Sequence, residues 1–325
     1  MIEMLMGLGS GKPKRIILSD QSGNLYALDK RNGDILYSKY IGSGGVAGVV
    51  YDSSQSLIKT IDNDGKVKTV RVDDFSQVNS GPTFSSAYYN TGKKIGLSSG
   101  GQYAFFVGSG SYHLTLETSS NSGSQYNSVP YNYIVDGYYS SIYFVSYTGG
   151  GLFRRDLSNN QLSSFSNSDD FLDICVENGY LFALTLGGEI LVRSAANVST
   201  GNGSMAITAF PKKNNLLSYI LASKDGQYVY AMYRSGNNLY LEKFSRQSLS
   251  VLSTITLVAM PANYPLSSTA RIDSDGNLFI WINWTSYTGL KMFDSDLNLK
   301  WDVSAGDSGY SFLSGVHRFI GGDYE

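Results

Sequence analysis

Residues 20–37 read DQSGNLYALDKRNGDILY. A polar turn carrying Gly23 leads into an alternating strand, a second polar turn carries Gly33, and a second strand follows. Glycine supplies the positive φ of a tight hairpin, and alternation sends one side of a strand into a core. The pattern recurs as DNDGKVKTV from 62, SGGQYAFFV from 99, ENGYLFALT from 177, KDGQYVYAM from 224 and DSDGNLFIW from 273. Third-strand positions recur as well: Leu25, Val67, Leu114, Leu152, Ile190, Leu239 and Leu290 lie at intervals of roughly 40–50 residues, the period of a propeller blade.

The repeat predicts an all-β fold, a single seven-bladed β-propeller of four-stranded blades. Innermost strands are expected near 45–50, 93–97, 131–136, 171–176, 215–222 and 266–272. The N-terminal repeat begins one strand late, at KRIILSD, and lacks its innermost strand. The C-terminal segment GYSFLSGVHRFI supplies it, so the ring closes by pairing the C-terminal strand into the N-terminal blade and leaves no free edge there. Two regions result: an apolar arm over 1–12 and the propeller over 13–325.

Composition agrees with strands and turns. Only 16% of the 325 residues are charged, whereas Gly reaches 36 and Tyr, at 25, outnumbers Phe, at 15. A net charge of −2 offers no basic excess for phosphates, so no nucleic-acid partner is expected. Cys175 is the one cysteine; it lies in the apolar run FLDICVENG, reads as core packing, and excludes an intramolecular disulfide or a cysteine-rich zinc site. The start, MIEMLMGLGSGKPKR, has no basic region before a long apolar run, so neither a signal peptide nor a membrane span is expected.

NLYALDKRNGDILY resembles the repeat of pyrroloquinoline-quinone-type propellers, with Tyr37 where that family usually has tryptophan. SKDGQYVYAM resembles the turn of the bacterial YVTN-type propellers. In the quinone enzymes the resemblance implies a bound metal, a cationic clamp and often vicinal cysteines. A lone cysteine cannot supply the last, and no motif marks the others, so no cofactor and no metal is expected.

Catalytic signatures are equally sparse. DNDG and DSDG lack the third acidic position and distal glutamate of a calcium loop; their Asp residues read as acceptors for turn N–H groups. His113 and His317 have no G-x-S-x-G elbow to serve. Asp52, Asp136, Asp170, Asp173 and Asp273 fall at inner-strand ends, where a carboxylate pair could form, but no motif selects a pair. The chain is therefore read as a non-enzyme.

Aromatic loops are the remaining signal. Connections between second and third strands, and between one blade and the next, share a face. They carry Tyr88, Tyr89, Tyr112, Tyr131, Tyr147, Tyr233, Tyr264, Trp284 and Tyr287 among Ser, Gly and Asn. Such a surface suits other protein subunits of an assembly, or a host glycan. The arm adds Met1, Ile2, Met4, Leu5, Met6 and Leu8, apolar side chains with no place in a blade, and is expected to dock on a neighbouring subunit. The Ser/Asn/Gly/Tyr-rich composition resembles that of phage tail and capsid-associated proteins. The expected function is a structural or docking component of a virion, made in the host cytoplasm. The alternative is a glycan-binding or glycan-hydrolysing propeller at a cell surface.

Overall fold

A computed structural model describes residues 14–20, 22–42, 46–52, 57–62, 66–83, 96–97, 103–107, 112–117, 123–127, 133–138, 141–146, 151–156, 162–166, 171–185, 188–195, 208–209, 217–259, 267–273, 275–284 and 287–319. The arm lies outside these residues. The described strands form seven four-stranded antiparallel sheets.

The first sheet takes Arg15–Asp20, Asn24–Asp29 and Ile35–Tyr40 from the N-terminus and Val316–Phe319 from the far end of the chain. The second comprises Val46–Asp52, Leu57–Asp62, Lys66–Arg71 and Gln77–Thr83. The third has Gly96–Leu97, Tyr103–Val107, Tyr112–Glu117 and Gly123–Asn127; the fourth has Tyr133–Tyr138, Ser141–Ser146, Gly151–Asp156 and Leu162–Ser166. The fifth has Phe171–Glu177, Tyr180–Thr185, Ile190–Ser194 and Thr208–Ala209. The sixth runs Leu217–Ala222, Tyr228–Ser235, Asn238–Ser245 and Val251–Ala259. The seventh runs Ser267–Ile272, Leu278–Trp284, Tyr287–Phe293 and Leu299–Ser304.

All seven repeat positions, from Leu25 to Leu290, fall on the third strand of their sheet. The expected innermost strands are first strands within a few residues. First strands of consecutive sheets lie against one another from the third sheet to the seventh, the seventh reaches the C-terminal strand, and that strand reaches the second sheet.

Asp and Gly build hairpins between second and third strands in the first and second sheets and between first and second strands in the seventh. Asp20 accepts from the backbone N–H groups of Ser22 and Asn24, both at 2.9 Å, and from the Asn24 amide at 2.8 Å. Asp273 repeats this with the N–H of Asn277 at 2.7 Å and its amide at 2.9 Å, and Asp62 accepts from Lys66 N–H at 2.8 Å. Each Asp thereby satisfies a donor that the tight turn leaves open. Gly23 sits at φ 91° with its α-carbon against the next loop; a Cβ there would lie 1.8 Å from the Gly42 carbonyl oxygen.

The turn into the outer strand uses a different device. Phe75, Leu249 and Leu297 occupy equivalent places two residues before the outer strand, all at positive φ (54°, 55° and 67°). A side chain in that region costs energy unless packing compensates. Each ring or chain packs into the preceding sheet: Phe75 against Tyr37, Leu249 beside Phe182 and Ile190, Leu297 beside Leu241 and Leu257. In the first sheet the equivalent residue is Gly33, at φ 79°. The Trp301 ring of the seventh sheet fills the space, 3.1 Å from where a Cβ would stand.

The closing strand is shorter than expected. Only Val316–Phe319 pairs with Arg15–Asp20, through Asp20↔Val316, Ser19↔Arg318 and Leu18↔Phe319. Ser311–Gly315 is a 3-10 turn instead of strand. Its apolar side chains are used as plugs rather than in a ladder. Phe312 stacks on Tyr26 at 3.8 Å, and Leu313 is wholly buried with Ile16, Leu18, Trp281 and Leu290.

Candidate functional site

Antiparallel four-stranded topology brings the second-to-third-strand hairpins to one end of their sheets. Tyr112 opens the third strand of the third sheet, and Trp284 and Tyr287 are register partners at the hairpin of the seventh. Tyr88, Tyr89, Tyr131, Tyr147 and Tyr264 lie outside the described residues, as do Met1, Ile2, Met4, Leu5, Met6 and Leu8 of the arm.

Tyr233 requires a correction. It was expected on the aromatic surface, yet it is 6% exposed, stacked on Tyr240 at 5.6 Å and packed with Val229, Ala231 and Phe244. Its hydroxyl donates to Glu242 at 2.7 Å. Burial, and then the Glu242 hydrogen bond, push its pKa above the usual tyrosine range. The sequence held the signal in the unbroken apolar run Tyr228–Tyr233: both faces of the strand are buried, Val229, Ala231 and Tyr233 on one and Tyr230 and Met232 on the other.

Tyr287 is the best-defined member of the group. It is half-buried, and its hydroxyl donates to Asp302 Oδ1 at 2.6 Å. Asp302 is ion-paired with Lys291, whose ammonium stands 4.8 Å from the Tyr287 ring centroid. Burial raises the Tyr287 pKa first, and the Asp302 carboxylate adds to it. The phenol thus stays protonated with its proton committed to a neighbour. It can offer ring surface and an oxygen acceptor to a ligand, and it cannot act as a base at neutral pH.

The carboxylates weighed as acid–base candidates serve the scaffold wherever their side chains are described. Asp173 accepts from Ile174 N–H at 2.9 Å and from Ile220 N–H of the next sheet at 2.7 Å. Asp273 caps its hairpin and pairs with Lys30 at 2.5 Å. The side chains of Asp52, Asp136, Asp170, His113 and His317 fall outside the description. Cys175 is buried in the core of the fifth sheet. Among the described residues no group of three or more His, Cys, Asp or Glu is placed to hold a metal ion, and no helix is long and apolar enough to cross a membrane.

Lys30 marks a junction of another kind. Its ammonium meets Asp273 and, at 2.8 Å, Asp275, and Lys14 reaches Asp275 at 3.3 Å, so the first and seventh sheets share one ionic cluster. Beside it Trp301 Nε1 donates to the Lys30 carbonyl at 2.9 Å, Trp281 Nε1 to the Leu313 carbonyl at 3.1 Å, and the Tyr310 hydroxyl to the Gly33 carbonyl at 3.0 Å.

Fold and site together define an all-β protein of repeated four-stranded antiparallel sheets. No family model matches the chain, and no curated protein matches it. Among solved structures it is similar to a functionally unknown protein from Desulfotomaculum acetoxidans DSM 771, with a TM-score of 0.70 and 15% identity over 96% of this chain and 100% of that one. That likeness concerns the fold alone.

Proposed function

We propose that the seven sheets are the blades of one closed β-propeller and that the propeller is a non-catalytic docking component of a larger protein assembly, a phage virion or tail part. The observation that carries the closed ring is the junction of the seventh and first sheets. It repeats the junction of the first and second: Tyr37 donates to the Val72 carbonyl as Trp301 donates to that of Lys30. The non-catalytic reading is supported by the use of Asp173 and Asp273 as backbone acceptors. The virion assignment rests on composition, with Ser, Asn, Gly and Tyr in place of Lys and Glu.

Docking is assigned to the aromatic hairpin end, with Tyr112, Tyr147, Trp284 and Tyr287 as anchors, because interfaces concentrate their energy in such rings. The test is incorporation of the chain into purified particles, read by co-sedimentation. Trp284→Ala with Tyr287→Ala should leave the melt cooperative and lower incorporation by about tenfold, or ~1.4 kcal/mol. Normal incorporation of the double variant, or a chain that never sediments with particles, would overturn the assignment.

A further inference from the structure

The outer strands of the sheets differ in how well they are protected against pairing with another chain. An exposed strand edge offers unpaired N–H and C=O groups, and proteins blunt such edges with short strands, lysine, proline or bulges. The first sheet's outer strand, ILYSKY, carries Lys39; the second's, QVNSGPT, carries Pro82; the seventh's, LKWDVS, carries Lys300 and Asp302. Those of the third, fourth and fifth sheets have five, five and two residues. The sixth sheet ends on Val251–Ala259, VLSTITLVA, nine residues long with neither charge nor proline. Its residues are mostly β-branched or apolar, the composition that favours strand pairing.

Bulges do not set it apart. The register skips Leu36, Val78, Leu252 and Lys300 at the second position of four outer strands, so the Leu252 bulge is common to the repeat. A second irregularity falls at Leu257, which is buried. Between them Ser253, Thr254, Ile255 and Thr256 keep regular register with Lys243, Glu242, Leu241 and Tyr240. Val251 and Leu252 are exposed, Leu252 by half, and among the described residues no strand pairs with the outer side.

The chain itself contains a segment of matching pattern. In Ile2-Glu3-Met4-Leu5-Met6-Gly7-Leu8 the apolar residues Ile2, Met4, Met6 and Leu8 fall at every second position, the period of a strand with one buried face, and Leu5 shares the other face with Glu3 and Gly7. Its seven residues fit within the nine of the edge, and Glu3 is its one charge. Pairing two nearly uncharged segments desolvates few charged groups, and main-chain hydrogen bonds supply the affinity, as in other cases of strand addition. We propose that the Val251–Ala259 edge receives Ile2–Leu8 of a second copy of this chain as a fifth strand. This deepens the docking reading above by naming the acceptor of the arm.

The test places a photo-crosslinking amino acid at Met4 in the full chain and mixes isotopically light and heavy copies. Mixed-isotope crosslinks joining position 4 to peptides within 251–259 are expected. Self-association, followed by light scattering across a concentration series, should weaken by about tenfold on deletion of residues 1–10 and equally with Thr256→Lys, which puts a lysine on the exposed side of the edge. The two changes together should do no more than either alone, because both remove one contact. Both variants should keep the parent melting temperature; the crosslink map on the unmodified edge remains decisive if Thr256→Lys does not fold. A chain monomeric at every concentration, crosslinks within one copy only, or crosslinks elsewhere would overturn the proposal. Loss of particle incorporation with these crosslinks intact would sink the virion reading alone.

Discussion

The indole of Trp301 donates to the carbonyl of Lys30 at 2.9 Å, which ties the outer strand of the last sheet to the turn into the outer strand of the first. Tyr37 makes the equivalent bond to Val72 one sheet along. Gly33 leaves the room that the larger ring occupies. Trp301→Ala should destabilise the chain by about 3–5 kcal/mol, through the cavity and the lost packing on Gly33. Trp301→Tyr should cost less, since tyrosine serves at the matching position. Denaturant melts compare the two; equal losses would mean that the hydroxyl of a tyrosine cannot replace the indole donor.

Truncation before Tyr310 should abolish soluble folding. It removes Phe312 from Tyr26, Leu313 from the core, the acceptor for Trp281, and the partner of Arg15–Asp20. Buried side chains of this size are worth about 1.5–3 kcal/mol each, against a typical total of about 5–15. A truncated chain with an unchanged cooperative melt would show that the C-terminal segment is dispensable.

The Lys30–Asp273 pair is buried on both sides and should be intolerant of a single change. Asp273→Ala leaves the Lys30 ammonium with the half-exposed Asp275 carboxylate alone and opens a hairpin donor, with a cost of up to about 3–5 kcal/mol. Lys30→Met in the same chain should recover part of it, because an apolar side chain no longer needs the carboxylate. Chemical denaturation of the single and double variants measures the recovery. No recovery would assign the whole loss to the hairpin that Asp273 caps through Asn277.

Tyr233 gives the account a pH signature. Burial and the bond to Glu242 raise its folded pKa above the unfolded value near 10, so the native state holds the proton more tightly. The resulting stability is fully present below about pH 10 and is lost as pH rises through that value towards the native pKa. Tyr233→Phe should cost about 1–3 kcal/mol at neutral pH through the lost hydrogen bond to the buried Glu242, which keeps that from Thr254. It should also flatten the alkaline limb of the stability curve. An alkaline limb as steep as the parent's would mean that other tyrosines carry it.

Much of the fold was legible because its signals are local. Asp20-Gln-Ser-Gly23-Asn24 and Asp273-Ser-Asp-Gly276-Asn277 state their hairpins in five residues, and the third-strand positions from Leu25 to Leu290 follow at the repeat interval. What escaped depends on distant partners. Phe75, Leu249 and Leu297 accept positive φ because packing compensates: Phe75 and Leu297 are buried, and Leu249 is half-buried against a core cluster. Ser311–Gly315 curls into a 3-10 turn because Tyr26 and Trp281, far away in sequence, receive Phe312 and Leu313. Tyr233 was misread for a related reason: proximity to the loop residues Ser235 and Gly236 outweighed the face it shares with Val229 and Ala231.

Closure of the ring is tested most directly by hydrogen exchange at the tryptophan indoles. The chain has three tryptophans, so one nitrogen–proton correlation spectrum resolves them. Trp281 and Trp301 both donate across the junction, to Leu313 and Lys30. If the seventh and first sheets are locked together in solution, both indole protons exchange only with global unfolding, at the rate of the slowest core amides such as Ile17 and Ile280. Exchange of these two indoles within minutes, while the core amides stay protected, would mean that the junction opens on its own, and would contradict a closed ring.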